Sequence, residues 1–192
     1  MIGIVDYGGG NIRSVLNALN QLEMFAVVSD DPDTLATMDR LIFPGVGHAG
    51  PAMRNLKSKG LDVLIKSYER PFLGICLGMQ LMCGFNEESS MGGLGLFDVP
   101  VKKFRTKLKV PHLGWNNITG AAEGLYRDLM LDRDFYFVHS YYVPLCKETI
   151  GTVEYDIPFS AALAKDNFFG FQFHPEKSAS QGLEIIKKFI EL

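Results

Sequence analysis

The sequence contains few cysteines, and they lack the spacing that disulfide-rich and zinc-binding proteins need. Only three are present among 192 residues: Cys76, Cys83 and Cys146. An odd number without a C-x-x-C pair argues against a disulfide framework and against a structural zinc site. We therefore expect a reduced, cytoplasmic compartment, no metal and no cofactor.

The chain also lacks an excess of positive charge and any long apolar run. Its formal net charge is −3 and its isoelectric point is about 5.8, so we expect neither nucleic acid nor an anionic membrane as a partner. No apolar run approaches the roughly 20 residues that span a bilayer, and no basic segment typical of a signal peptide begins the chain. Because no repeat or linker interrupts the sequence, residues 1–192 are expected to form one domain.

The apolar pattern of the first half predicts alternating strands and helices. Short apolar runs predict strands at 1–6, 24–29, 40–45 and 71–75, with helices at 12–22, 49–57, 61–70 and 77–84. This alternation is typical of an α/β fold in which a parallel sheet carries helices on both faces.

The second half changes character, because short aromatic and β-branched runs are separated by Gly, Pro and Asn. These runs predict added strands and hairpins of mixed direction at 93–104, 110–118, 135–143, 151–159 and 168–174. An amphipathic pattern predicts a final helix within 178–192, for which Ser178 or Ser180 is a candidate N-cap.

The segment D-Y-G-G-G-N at positions 6–11 suggests a phosphate-binding loop, because it joins a predicted strand to a predicted helix. Gly8 and Gly10 fit the pattern G-x-G-x-x-G, but Arg13 stands where the third glycine belongs. The phosphate-loop pattern that ends in Gly-Lys-Ser/Thr is absent. Two other interpretations remain: a tight turn that needs glycine φ values, and a loop exposed at the carboxyl edge of the sheet.

Cys76 has the features of a catalytic nucleophile. It follows a predicted strand, precedes a predicted helix and lies between Gly74 and Gly78, in the cysteine form of the nucleophile elbow, G-x-C-x-G. The two glycines leave room for the cramped turn that exposes the sulfur above the sheet. At a helix N-terminus the dipole favours a thiolate, and the N–H of Leu77 is available to stabilise an oxyanion. The alternative, a buried and inert cysteine, is our interpretation of the other two cysteines.

A thiol nucleophile needs a base, and His174 is the best candidate. It ends an apolar strand, and Glu176 follows two residues later, so an extended backbone would point both side chains the same way. Pro175 favours that extended conformation. Alone, H-P-E could also mark a metal pair or a helix start. The remaining histidines are expected to be structural or peripheral: His48, His112 and His139.

Together, G-I-C-L-G-M-Q and F-H-P-E resemble the motifs of the class I, triad-type glutamine amidotransferases. A narrower resemblance, to the glutaminase subunits of imidazole glycerol phosphate synthases, rests on six motifs in matching order between residues 3 and 178. They are DYGGGN, PGVG, GICLGMQ, PHLGWN, FVHSYY and GFQFHPEKS. The resemblance implies one flavodoxin-like three-layer domain, with a mostly parallel central sheet and antiparallel strands added in the C-terminal half.

The resemblance also implies the roles of individual residues. Cys76 would attack the side-chain amide of glutamine and form a glutamyl thioester, while His174, oriented by Glu176, would protonate the departing ammonia. Backbone N–H groups would stabilise the oxyanion at Leu77 and at Val46 or Gly47, the second one after a peptide flip. Glutamine binding is implied for Gln80, Glu88, Ser140 and Tyr141.

A partner follows from the same resemblance: a (β/α)8-barrel cyclase subunit of imidazole glycerol phosphate synthase, in a heterodimer with this chain. The cyclase would use the ammonia to make imidazole glycerol phosphate and aminoimidazole carboxamide ribonucleotide in histidine biosynthesis. The glycine turn would then face a protein instead of a phosphate. Residues that match the partner-facing segments are Gly9, Asn11, His112, Trp115, Tyr136 and Lys177.

Alternative functions remain at this stage. The chain could serve another ammonia-channelling synthase, such as pyridoxal phosphate synthase, although PHLGWN and PGVG argue against that. It could be an interaction subunit without catalytic activity, which the complete Cys, His and Glu set disfavours. A cysteine peptidase is disfavoured because nothing in the sequence suggests an extended peptide groove.

Overall fold

The computed structural model describes residues 1–192 and contains three β-sheets flanked by helices. The strands, numbered along the chain, are β1 (Ile2–Val5), β2 (Ala26–Ser29), β3 (Arg40–Gly45), β4 (Phe72–Cys76), β5 (Cys83–Asn86), β6 (Met91–Gly92), β7 (Phe97–Lys103), β8 (His112–Asn117), β9 (Gly120–Ala121), β10 (Asp134–His139), β11 (Tyr141–Tyr142), β12 (Thr149–Tyr155), β13 (Ile157–Lys165) and β14 (Phe168–Phe171). The helices are α1 (Ile12–Gln21), α2 (Pro32–Ala36), α3 (Ala49–Ser58), α4 (Leu61–Ser67), α5 (Leu77–Met82), α6 (Arg127–Met130) and α7 (Ala179–Ile190), and a 3-10 turn spans Pro175–Lys177. None of the helices is both long and apolar enough to cross a bilayer.

The central sheet has eight strands in the order β2-β1-β3-β4-β14-β13-β12-β9. The first five of these are parallel, and β13, β12 and β9 continue the sheet in antiparallel pairing. A second sheet of four strands, β11-β7-β5-β6, and the antiparallel pair β8–β10 lie outside it. The predicted mostly parallel sheet with added antiparallel strands is therefore confirmed.

Helices cover both faces of the central sheet, which produces two separate apolar cores. Because side chains alternate along a strand, Ile4 of β1 belongs to one core and Val5 to the other. The first core also contains the apolar faces of α1 and α7, and the second contains those of α3, α4 and α5. This is the predicted three-layer arrangement.

Several predicted boundaries are wrong because the chain turns earlier than its apolar pattern suggests. The helix expected at 77–84 ends at Met82, since Cys83 opens β5. The run 135–143 is divided between β10 and β11, which belong to different sheets. The run 151–159 is a hairpin that turns at Asp156, where φ is +64°.

Two short helices, α2 and α6, were not predicted. The start of α2 does carry a sequence signal: Pro32 occupies its first turn, and the carboxylate of Asp31 accepts a hydrogen bond from the N–H of Thr34 at 2.9 Å. An Asp N-cap followed directly by Pro therefore marks the start of α2.

Glycines allow α5 to lie directly against the ends of β3 and β4. A Cβ atom at Gly78 would collide with the carbonyl oxygen of Phe43, and one at Gly45 would collide with the backbone N of Gly78. A Cβ at Gly74 would lie 2.8 Å from the backbone N of Met79. Backbone therefore packs on backbone around the turn after β4, and this contact fixes the start of α5.

We expect Gly78→Ala to destabilise the fold strongly, because the new methyl group meets a backbone carbonyl that cannot move without displacing β3. The free energy of unfolding should fall by about 3 kcal/mol, as in overpacked cores. Denaturant titration of the purified chain measures this change. Gly84→Ala is the matched control, because its Cβ would be 3.7 Å from the nearest atom. Equal stability of the two variants would contradict the close packing of α5.

Candidate active site

Cys76 lies at a strained turn between β4 and α5. Its backbone has φ 52° and ψ −108°, a region that residues other than glycine rarely adopt. The side chain is 6% exposed, and its sulfur lies 3.8 Å from the carbonyl oxygen of Val138. The turn has the strand-before, helix-after geometry expected of a nucleophile elbow.

His174 reaches the same edge of the sheet because β14 is the parallel neighbour of β4. Ile75 is paired with Phe171, and His174 follows three residues later. Its backbone N–H donates to the carbonyl of Tyr136 at 2.9 Å. Ser178, the N-cap residue of α7, donates its hydroxyl to the carbonyl of His174 at 2.7 Å instead of capping the helix. Contacts with Tyr136 of β10 and with Ser178 at the start of α7 therefore hold the backbone of His174.

Glu176 supports the ring of His174. Its carboxylate oxygen is 2.8 Å from Nδ1, and both side chains are 1% exposed. An extended backbone was predicted from His174 to Glu176, but Pro175 and Glu176 belong to the 3-10 turn and only His174 is extended. The two side chains thus meet through a turn. Because Nδ1 is bound to Glu176, Nε2 is the ring nitrogen left for the sulfur and a substrate.

The environment of His174 keeps its ring protonated. Burial lowers its pKa, but the hydrogen bonds and charges of Cys76 and Glu176 outweigh burial and raise the pKa to about 10. An imidazolium is therefore expected at neutral pH, which is the form needed to donate a proton.

One cavity of about 330 Å³ gathers most of the predicted site residues. Its lining consists of Val46, Gly47, His48, Cys76, Leu77, Gln80, Glu88, Pro111, Val138, His139, Ser140, Tyr141 and His174. This set includes every predicted catalytic, oxyanion and glutamine-binding residue except Glu176, which lies behind His174.

The predicted oxyanion segments flank the nucleophile. Leu77 is the first residue of α5, so its N–H belongs to a helix N-terminus. Val46 and Gly47 follow β3, whose last residue, Gly45, is paired with Cys76 in the sheet. Gly47 has φ +98° and is exposed, and a Cβ there would meet no atom within 4 Å. The backbone at Gly47 therefore has room to change conformation beside Cys76.

Gln80 is held by two hydrogen bonds inside the site. Its Nε2 donates to the carbonyl of Tyr141 and to Oε1 of Gln172, each at 2.9 Å. Gln172 in turn donates from Nε2 to the sulfur of Cys76 at 3.7 Å. Gln172 was not predicted, although the sequence carries one signal, a polar amide within the aromatic run FFGFQFH, two residues before His174. The structure buries this amide fully.

Glu88 places a carboxylate at the beginning of α3. Its oxygens accept a hydrogen bond from the N–H of Ala49 at 2.7 Å and lie 3.1 Å from Nδ1 of His48. The positive end of a helix favours such a carboxylate. His48, predicted to be an ordinary loop residue, is therefore a contact of Glu88 and part of the cavity wall.

The prediction that His112 faces a partner requires a correction, because the residue is only 3% exposed and offers a partner very little surface. It is the first residue of β8, and its Nδ1 lies 3.0 Å from Nε2 of His139. Both histidines are buried, and His139 also lines the cavity. The exposed side chains of β8 are Leu113 and Trp115, which are 54% and 52% exposed.

Among the other predicted partner-facing residues, Trp115 and Lys177 are exposed, whereas Gly9, Asn11 and Tyr136 are half-buried. The rings of Trp115 and Tyr136 are 6.2 Å apart, and Nζ of Lys177 is 6.0 Å from the Tyr136 ring centre. Asn11 caps α1 by accepting a hydrogen bond from the N–H of Ser14 at 3.4 Å.

The glycine turn that contains Gly9 is a tight backbone turn. Gly8 and Gly10 have φ values of +82° and +96°, and a Cβ at Gly10 would lie 2.9 Å from the carbonyl oxygen of Pro44. Positive φ and close packing explain these two glycines. No group of three or more His, Cys, Asp or Glu side chains is arranged to hold a metal ion.

Comparisons with known proteins match this architecture along the whole chain. The family model described as glutamine amidotransferase class-I matches residues 3–192. The protein named imidazole glycerol phosphate synthase subunit HisH from Bacteroides fragilis is 50% identical and is aligned over 100% of this chain and 99% of its own length. The protein of the same name from Yersinia pestis is 47% identical over 98% of each chain. A crystal structure of a glutamine amidotransferase has the same fold, with a TM-score of 0.73 at 15% identity, 99% coverage of this chain and 97% of that one.

The raised pKa of His174 predicts how its ring titrates. The folded pKa of about 10 lies above the ordinary value of about 6.5, so protonation of the ring stabilises the fold fully below pH 6.5, and that stabilisation is lost as the pH rises through 10. NMR titration of the ring should give a midpoint well above 6.5. Glu176→Gln should lower this midpoint, because it removes the charge of the neighbouring carboxylate.

The matched control is Glu184→Gln, which removes an exposed carboxylate that pairs with Arg133. This control should leave the His174 titration unchanged. A wild-type midpoint near 6.5, or one insensitive to Glu176→Gln, would contradict the ion pair.

Proposed function

The chain belongs to the class-I glutamine amidotransferases, and from this premise we propose that it is the glutaminase subunit of an imidazole glycerol phosphate synthase. In that role it hydrolyses glutamine to glutamate and ammonia for histidine biosynthesis. The full-length similarity to the subunits from Bacteroides fragilis and Yersinia pestis supports this choice over other ammonia-channelling synthases.

The convergence of Cys76 and His174 on one cavity, with Glu176 behind the ring, is the observation that carries the proposal. A nucleophile, a base and an orienting group in this order are the minimal set for amide cleavage through a covalent intermediate.

The chemistry starts with attack of the Cys76 sulfur on the side-chain amide carbon of glutamine. The carbonyl π electrons move to oxygen, and this oxyanion is stabilised by the N–H of Leu77. His174 protonates the amide nitrogen as the C–N bond breaks, which releases ammonia and leaves a glutamyl thioester. The neutral ring then takes a proton from water as the water attacks the thioester. Glutamate leaves and the Cys–His pair is restored.

The substrate would lie between Gln80 and Glu88. The carboxylate of Glu88 has the charge needed to pair with the amino group of glutamine, although it is already bound to Ala49 and His48. The backbone of Ser140 and Tyr141 forms the facing wall of the cavity. These contacts bind the end of glutamine that does not react, so they set specificity and orientation.

The second oxyanion donor belongs to the segment of Val46 and Gly47. The proposal is that the peptide between them rotates to point its N–H at the oxyanion when the partner is engaged. The open space around Gly47 and its positive φ make such a rotation sterically feasible.

The proposed partner is a (β/α)8-barrel cyclase that receives ammonia across the subunit interface. Leu113 and Trp115 provide an exposed apolar surface near Tyr136 and Lys177. Exposed aromatic residues surrounded by polar groups are typical of protein interfaces. The surface of β8 and β10 is therefore the proposed docking face.

Cys76→Ala should abolish glutamine hydrolysis, because no other side chain of the cavity can replace the thiolate. We expect the rate of glutamate formation, measured in the presence of the cyclase, to fall at least about a thousandfold. Cys146→Ala serves as the control and should retain activity, since Cys146 lies outside the cavity. Undiminished hydrolysis by Cys76→Ala would refute the proposed function.

Addition of the cyclase subunit and its nucleotide ligand should raise the rate of glutamine hydrolysis by at least about tenfold, a coupling typical of linked sites. The physical reason is completion of the oxyanion hole at Val46 and Gly47. Steady-state kinetics of the isolated chain and of the mixture measure the effect. Full activity in the isolated chain, unchanged by the cyclase, would contradict the coupling.

A further inference from the structure

A line of buried hydrogen bonds runs from the inner face of β8 towards the cavity. Asn116 Nδ2 is 3.2 Å from Nε2 of His112, and His112 Nδ1 is 3.0 Å from Nε2 of His139. His139 Nδ1 is 2.7 Å from the carbonyl oxygen of Tyr141. Strand pairing creates this line, because His112 and His139 lie opposite each other in the β8–β10 ladder.

The partners fix the protonation of both rings. A carbonyl oxygen only accepts, so His139 carries its proton on Nδ1 and its Nε2 is an acceptor. His112 must then donate from Nδ1, and its Nε2 accepts from the amide of Asn116. Burial lowers the pKa of His112 to about 4 and that of His139 to about 3, so both rings are neutral at pH 7. In each of the three hydrogen bonds from Asn116 to the Tyr141 carbonyl, the donor is therefore the residue nearer to Asn116 along the line.

The same line continues from Tyr141 to the nucleophile. The carbonyl of Tyr141 also accepts from Gln80, and Gln80 donates its other amide proton to Gln172. Gln172 reaches the sulfur of Cys76. The Tyr141 carbonyl is thus the point where the histidine pair and the glutamine pair meet.

Aromatic side chains surround the two rings. His112 is stacked between Phe137 and Tyr155, at ring-centre distances of 5.0 and 4.1 Å. Phe104 and Phe159 lie 5.4 and 5.2 Å from the ring of His139. In such an apolar shell, a lost hydrogen bond is not replaced easily, so each member depends on its neighbours.

The outer face of β8 is the proposed docking surface. Side chains alternate along the strand, so Leu113 and Trp115 are exposed while His112 faces inward and Asn116 is half-buried. Any displacement of β8 by a protein bound to its outer face is therefore transmitted directly to His112.

We propose that His112 and His139 form a positioning relay that connects partner binding on β8 to the Tyr141 carbonyl and the Gln80–Gln172 pair beside the nucleophile. This inference rests on the proposed function, since the relay regulates the same glutaminase site. His112 is then a positioning residue without partner contact, and the relay acts through the orientation of Gln80 and Gln172.

Two substitutions of His112 separate the effect of its hydrogen bond to His139 from the effect of its ring stacking. His112→Phe keeps the stacking on Phe137 and Tyr155 but removes the donor to His139. His112→Asn loses the ring but places an amide donor near the position of Nδ1. In the complex with the cyclase and its nucleotide ligand, we expect kcat for glutamine hydrolysis to fall about tenfold in His112→Phe and to recover to within about threefold in His112→Asn.

Affinity for the cyclase distinguishes the relay from a simple loss of docking. The Kd of both variants for the cyclase should stay within about twofold of wild type, because His112 is buried beneath the docking face. A merely structural role would instead make activity follow thermal stability, with His112→Asn losing as much activity as it loses stability. Equal kcat in His112→Phe and wild type would overturn the relay.

A second measurement needs no partner. The alkylation rate of Cys76 by iodoacetamide in the isolated chain should change at least about threefold in His112→Phe and less than twofold in His112→Asn, because Gln172 touches the sulfur. If the wild-type chain is not stimulated by the cyclase, the proposed function fails. Independently of that result, an alkylation rate that is unchanged in His112→Phe would overturn the connection between His112 and the sulfur of Cys76.

Asn116→Asp provides a second test should His112→Phe fail to fold. The carboxylate is nearly isosteric but cannot donate, so it draws the proton of His112 to Nε2 and breaks the line. Ring-nitrogen NMR should show Nδ1–H on His112 in the wild type and Nε2–H in Asn116→Asp. Nε2–H on His112 or on His139 in the wild type would overturn the assignment.

Discussion

The parallel pairing of β4 with β14 is the contact on which the site depends. Gly74 is opposite Gly170 and Ile75 is opposite Phe171, so the two chains leave the sheet side by side, one towards Cys76 and the other towards His174. A shift of one residue in this register would turn the side chains that follow β14 to the other face of the sheet. The ninety-eight positions between nucleophile and base in the sequence are therefore bridged by a single ladder of hydrogen bonds.

The remaining walls of the site come from the segments that connect the strands. The chain passes from β10 to β11 at Ser140, and this change of sheet brings the backbone of Ser140 and Tyr141 against Gln80. The turn after β3 adds Val46 and Gly47, and the loop after β5 adds Glu88, whose carboxylate bonds to the start of α3. The central sheet thus supplies the reacting groups, while irregular backbone between sheets supplies the surfaces that recognise a substrate.

Local sequence patterns were enough to predict the parts of the site that depend on neighbouring residues. The elbow at Cys76 is marked by its own glycines, and Glu176 lies two residues from its partner. Long-range pairing could not be predicted in the same way: the bond between His112 and His139 depends on the register of β8 with β10, and Gln172 is hidden in an aromatic run. The division of 135–143 between two sheets was missed because both parts have the same strand-forming composition.

Cys76 occupies a backbone conformation that suits glycine better than any residue with a side chain. A glycine at this position would relieve strain of roughly 1–3 kcal/mol but would remove both the buried packing of Cys76 and the thiol itself. The elbow therefore holds its nucleophile in a backbone conformation that costs stability, the kind of local strain that is common where a chain must present a reactive group.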